Sequence, residues 1–206
     1  MHNKQYITAG QPLTNDSKVL IMLHGRGANA EDILSLANYL PVKDFTLIAP
    51  QATNYTWYPY SFMAPTVQNE PWLGSAIELI DSVVKELESK EILSTNIFFL
   101  GFSQGACLTL EYVTRNARKY GGVIAFTGGL IGEKIEAEKY SGDFQNTPVF
   151  IGTSDPDPHV PVTRVKETED LMKNLHAKML VEIYKNMGHT ISQQEIESAI
   201  AHIFSK

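Results

Sequence analysis

Short runs of β-branched and aromatic residues punctuate the chain at Val19–Leu23, Phe45–Ile48, Ile97–Leu100, Val123–Phe126, Val149–Ile151 and Leu180–Tyr184. They are too short for helices and lack strict apolar/polar alternation, so they predict strands buried on both faces. The stretches between most of them follow helical spacing. Ala76, Ile77, Ile80, Val83, Val84 and Leu87 form one apolar stripe; Val165, Thr168, Met172 and Leu175 form a second; Ile196, Ile200 and Ile203 form a third. Ala106–Asn116 reads as a further helix directly behind a strand, and the charged run Lys85–Glu91 as the solvated face of the first stripe's helix. Strand and helix in alternation predict an α/β fold, a mostly parallel sheet with helices on both faces. No repeat or linker divides residues 1–206, which predicts one domain.

Gln51–Trp72 breaks the rhythm. It is rich in Pro, Tyr and Trp and has no clear period. A loop of that length in a compact domain points to function, and its aromatic content argues against disorder. Trp57, Tyr58, Phe62 and Met63 are therefore candidate walls of a substrate cleft, with ordinary core packing as the other reading.

Composition narrows the class. Lys and Arg total 17 against 23 Asp and Glu, a net charge of −6. That balance argues against a nucleic-acid partner and supplies no polybasic patch for an anionic membrane. No run reaches the length of a spanning helix, so integral membrane association is not expected. The N-terminus lacks a signal-peptide pattern, and a single cysteine, Cys107, excludes an intrachain disulfide. A cytoplasmic protein is the expectation. Oligomeric state is open, with a homodimer among the options.

The chemistry concentrates where one strand ends. Gly101-Phe-Ser103-Gln-Gly105 fits G-x-S-x-G, between the Ile97–Leu100 strand and the following helix. In that context the serine sits on a sharp, strained turn, and flanking glycines remove side chains that would clash. The bland alternative is a glycine-rich turn with an incidental serine. A serine hydroxyl needs a base, and the base needs an orienting acid. Two loops at downstream strand ends supply them: residues 152–161, with Asp155 and Asp157, and residues 186–190, with His189. The order serine, acid, histidine fits this type of elbow. Between Asp155 and Asp157 the residues alone do not choose. Asp155-x-Asp157-x-His159 also admits a metal reading, although no other ligand cluster accompanies it. His24 precedes a glycine turn and reads as holding that turn; His176 and His202 read as helix residues remote from a strand end. Acyl transfer also needs donors for a developing oxyanion. Gln104 offers the amide after the nucleophile. The glycine-containing loop Leu23–Asn29, after the first strand, offers the second.

With "LHGRGAN" at 23–29, "LGFSQGA" at 100–106, "DPHVP" at 157–161 and "GH" at 188–189, nearly the whole chain resembles the phospholipase/carboxylesterase family of α/β-hydrolases, which includes acyl-protein thioesterases. The resemblance implies an α/β-hydrolase fold without a large cap domain. It implies Ser103, Asp157 and His189 as the triad, the backbones of Arg26 and Gln104 as oxyanion donors, and no metal or organic cofactor. Asp157 matches the acid of the family's D-P-x-V-P, which leaves Asp155 in a two-residue insertion. Arg26 stands where the family often has leucine, and Ala28 where it often has an acid. A guanidinium beside the nucleophile would pair with a carboxylate or phosphate on a substrate. The implied activity is hydrolysis of small-molecule carboxylic esters with short to medium acyl chains, thioesters and lysophospholipids being related substrates. Two other readings compete. A dienelactone-type hydrolase would carry cysteine at the elbow, but here Cys107 lies a turn beyond Ser103. A non-catalytic binding module would usually have lost a triad member, and all three positions are filled.

Overall fold

A computed structural model describes residues 1–205. Its centre is a seven-stranded sheet in the order β1-β3-β2-β4-β5-β6-β7. The strands are β1 (Tyr6–Gly10), β2 (Lys18–Leu23), β3 (Phe45–Pro50), β4 (Ile97–Phe102), β5 (Gly122–Phe126), β6 (Pro148–Asp155) and β7 (Lys178–Lys185). All neighbours pair in parallel except β1, which runs antiparallel to β3. β1 is the strand without a sequence signal. It is an edge strand, half-buried or exposed along its length, so no apolar run marks it.

The helices are α1 (Ala30–Leu34), α2 (Thr66–Asn69), α3 (Trp72–Ser89), α4 (Gln104–Arg115), α5 (Val162–Asn174) and α6 (Gln193–Ile203). Alternate residues of the central strands feed two cores, because successive strand side chains point to opposite faces. Val19, Ile21 and Leu23 pack with α3, α4 and α5 on one face. Leu20 and Met22 pack with α1 and α6 on the other. The periodic stripes are thus the buried faces of α3, α5 and α6. His176 is not helical as expected: it follows α5 in a turn with φ +60°.

Two features of topology position the site. The chain runs from β2 to β3 on one side and then crosses back to β4 on the other. The carboxyl ends of β2 and β4 therefore flank a crevice where the winding reverses, the usual place for a ligand in an open α/β sheet. Leu23 is in register with Gly101, so the loops after β2 and β4 leave the sheet side by side. β6 and β7 stay paired out to Asp155 and Lys185, beyond the end of β5. They carry their two following loops up beside that crevice.

Candidate active site

Ser103 joins β4 to α4 with φ 53° and ψ −117°, a left-handed backbone that a serine adopts only under strain. The flanking glycines are required by contact. A Cβ on Gly101 would strike the Gly105 carbonyl and lie 2.6 Å from the Ala106 nitrogen. A Cβ on Gly105 would run into the Leu23 carbonyl and lie 2.6 Å from the His24 oxygen. The glycines therefore let α4 start hard against both its own strand and the end of β2. The turn is fastened by the Ser103 amide, which donates to the Phe126 carbonyl (2.9 Å).

The downstream loops converge on this serine. His189 Nε2 lies 2.8 Å from Ser103 Oγ, and its Nδ1 lies 2.9 Å from Asp157 Oδ2. The His189 loop is fixed by the Gly188 amide, which donates to Ser154 Oγ (2.8 Å), and by the Asn186 amide, which donates to the Asp155 carbonyl (2.9 Å). The imidazole packs between Phe102 (ring centroids 5.4 Å apart) and His159 (4.9 Å, edge-on). Asp157 uses its other oxygen to accept the amides of His159 and Val160, both at 2.8 Å. Burial pushes its pKa up, but the His159 amide, the His189 ring and the Val160 amide outweigh it, so the carboxyl ends below its ordinary range. Asp155 is exposed, and it is its carbonyl that meets the histidine loop. Among the described residues no three His, Cys, Asp or Glu side chains group so as to hold a metal ion.

The oxyanion candidates sit across the serine. A Cβ on Gly25 would lie 3.6 Å from Ser103 Cβ, which places the β2 loop against the elbow. The Gln104 amide opens α4 and has no intrahelical acceptor. Among the described residues the Arg26 amide likewise has no protein acceptor, whereas the next two, of Gly27 and Ala28, donate to Tyr55 and Gly25 carbonyls. His24 holds this loop. It is fully buried, lies with Nδ1 2.8 Å from the Gly25 oxygen, and accepts the Ala52 amide at Nε2 (3.1 Å). Burial lowers its pKa and favours the neutral ring that this arrangement needs.

A cleft of about 510 Å³ opens over Ser103 and His189. Tyr58 and Phe62 line it; Trp57 and Met63 do not. Trp57 is fully buried below the β2 loop, its indole N–H donating to the His24 carbonyl (2.8 Å). It is a core residue; Tyr58 and Phe62 are buried in the same core and also edge the cleft, and half-buried Met63 packs against that core. Tyr60 and Ser61 also line the cleft and carried no spacing signal in the sequence; His159, which the sequence offered only as a metal ligand, lines it as well. Cys107 lies at the cleft too, but burial pushes its thiol up to about 12, far from a reactive thiolate. Arg26 departs from the expectation of a free guanidinium facing an anionic substrate. Its Nη1 donates to the Pro59 carbonyl (2.9 Å) and its Nη2 to those of Tyr58 (2.9 Å) and Tyr60 (2.7 Å).

The family model for phospholipase/carboxylesterase matches residues 5–205. The chain belongs to that family. Its fold is the α/β-hydrolase fold, and membership makes it a hydrolase of the esterase type. A phospholipase/carboxylesterase from Dyadobacter fermentans is 53% identical and superposes with a TM-score of 0.97, over 99% of this chain and 98% of that one. Acyl-protein thioesterase 1 of Kluyveromyces lactis is 27% identical, covering 92% of this chain and 91% of its own length. A Bacillus cereus carboxylesterase shares the fold at 19% identity and TM-score 0.77, over 95% and 91% of the two chains. Among the described residues no helix of this family member is long and apolar enough to cross a membrane.

Proposed function

We propose that the protein hydrolyses small carboxylic esters, with short to medium acyl chains and including thioesters, through an acyl-enzyme on Ser103. The observation that carries this reading is the unbroken line Ser103 Oγ–His189–Asp157, at 2.8 and 2.9 Å, where the loops that carry the Arg26 and Gln104 amides leave the sheet side by side.

The ionised Asp157 accepts a hydrogen bond from His189 Nδ1–H, which leaves the Nε2 lone pair toward Ser103. Ser103 Oγ attacks the carbonyl carbon and His189 takes the hydroxyl proton. The carbonyl electron pair moves to oxygen, where the amides of Arg26 and Gln104 stabilise it. As the tetrahedral centre collapses, the C–O or C–S bond breaks and His189 protonates the leaving alcohol or thiol. Water then attacks the acyl-serine by the same sequence and releases the acid. No step calls on a metal or an organic cofactor.

The reading is tested with p-nitrophenyl butyrate and a fluorophosphonate probe. Ser103→Ala, folded as judged by circular dichroism, is expected to lose activity by about 10⁴–10⁶-fold, because triad members act as a unit. Probe labelling should vanish with it. Activity within about tenfold of wild type would overturn the assignment, and a wild type that binds esters without turnover would favour a binding module.

A further inference from the structure

The two residues given the oxyanion amides share a second property, in their side chains. The Arg26 guanidinium donates to three successive carbonyls, Tyr58, Pro59 and Tyr60, at 2.9, 2.9 and 2.7 Å. The Gln104 carboxamide holds the residues just before them. Its oxygen accepts the Trp57 amide (2.9 Å) and the Thr56 hydroxyl (3.2 Å), and its nitrogen donates to the Tyr58 carbonyl (2.8 Å). Tyr58 oxygen is thus shared by both. Residues 56–60 lie outside any helix or strand, so no ladder partner is available to these carbonyls. From the other side, buried Asn69 accepts the Tyr60 amide (2.9 Å) and donates to the Ser61 carbonyl (2.9 Å). The segment so fastened is one wall of the cleft, presenting Tyr58, Pro59, Tyr60, Ser61 and Phe62.

The chemistry of the side chain matters here. Three carbonyls fanned around one planar group need a fork of fixed donors, which guanidinium has and a compact ammonium lacks. Leucine would take away the donors of the Pro59 and Tyr60 carbonyls, whereas Tyr58 would keep the Gln104 amide and the Thr56 hydroxyl. The same residue that turns its amide toward the substrate oxygen therefore ties down the wall against which the rest of the substrate lies.

We propose that Arg26 is a positioning residue for substrate selection. Its guanidinium, with the Gln104 carboxamide, joins the 56–62 wall to the oxyanion amides as one rigid unit, and that rigidity lets the cleft discriminate acyl groups by size. The proposal rests on the Ser103 hydrolase reading for its consequence, though not for the strap itself.

Two measurements on the full chain separate these. The first is amide hydrogen exchange in Arg26→Leu and Arg26→Lys, which needs no activity. Exchange over residues 56–62 is expected to rise about tenfold or more in Arg26→Leu, the scale of one or two lost net hydrogen bonds, and by less in Arg26→Lys. β2 and β4 should keep their protection. Unchanged exchange in the wall would overturn the strap whatever the enzyme does. Should Arg26→Leu exchange globally, Arg26→Lys, which keeps the charge and stem, decides the matter alone. The second is kcat/KM on p-nitrophenyl acetate, butyrate and octanoate. The wild-type preference among the three should shrink by about tenfold in Arg26→Leu, chiefly through KM, because a loosened wall admits longer chains and holds short ones less well. A wall that exchanges faster while the preference stays within about twofold of wild type would overturn the role in selection.

Discussion

Gly105→Ala adds one methyl group to the second turn residue behind Ser103, and the structure sets what that methyl meets. It would overlap the Leu23 carbonyl and come within 2.6 Å of the His24 oxygen. Both are backbone atoms of a central strand end, so no rotamer change relieves the overlap; α4 or the β2 loop must move. Overpacking of this kind costs about 1–3 kcal/mol, and the helix-propensity gain of about 1 kcal/mol offsets only part. For a chain of this length each kcal/mol shifts Tm by about 2–4 °C, so the net cost of up to about 2 kcal/mol lowers Tm by up to about 8 °C. The catalytic loss should be larger. Pushing the β2 loop off the elbow parts the Arg26 amide from that of Gln104, and loss of one oxyanion donor costs about 10²–10³-fold in kcat. The internal control is Gly74→Ala in α3, whose methyl would meet only the end of the exposed Glu70 side chain, at 2.9 Å, a carboxylate that accepts the Gly74 amide but can shift about its own torsions. There Tm should hold or rise, since alanine is the better helix former. Thermal unfolding and p-nitrophenyl butyrate turnover on both variants provide the assay. Should Gly105→Ala keep Tm within about 1 °C and full kcat, the argument from close approach at the elbow is refuted.

Asp157→Asn should lower kcat by about 10⁴-fold. Its oxygen would stay with the His159 and Val160 amides and its NH2 would face Nδ1, forcing the wrong tautomer on His189. Asp155→Asn should remain within about tenfold of wild type, because Asp155 contributes a carbonyl rather than its carboxylate to the histidine loop; the reverse ranking in steady-state kinetics would exchange their roles. Glu195 is a second carboxyl with a pH signature. Burial, opposed by the Ser192 amide bond and reinforced by Glu182, raises its pKa to about 8, and among the described residues one of its oxygens has no partner. The folded state therefore binds this proton more tightly than the unfolded chain does. Stability contributed at acid pH should drain away as pH rises from the ordinary carboxyl range through about 8, by up to a few kcal/mol. Glu195→Gln should flatten that slope in denaturant unfolding measured from pH 5 to 9; an unaltered slope would place its origin elsewhere.

The sequence by itself determined the elements and offered the candidate reacting groups. Continuous apolar runs, helical stripes and the two elbow glycines are local facts, and each has a local physical cause: burial on both faces, one buried helix face, and absence of a Cβ where α4 meets the end of β2. It also offered Ser103 and His189 as candidates, because their types follow strand ends in the expected order, and the fold brings the two within 2.8 Å. β1 escaped, since an edge strand facing water needs no apolar pattern. Residue type and order did not choose between Asp155 and Asp157, which only the family motif told apart along the chain; in space they separate through what their carboxylates touch, two amides and His189 for Asp157 and solvent for Asp155. Only the tertiary structure decided the aromatic segment. Residues 51–72 have no period, so nothing local says that Trp57 goes under the β2 loop while Tyr60 stays at the surface. That outcome depends on hydrogen-bond partners 32–48 positions away, the Arg26 fork and the Gln104 carboxamide. Such bonds form only after the sheet register has set the loops after β2 and β4 side by side, and register is a property of the assembled sheet rather than of any one segment.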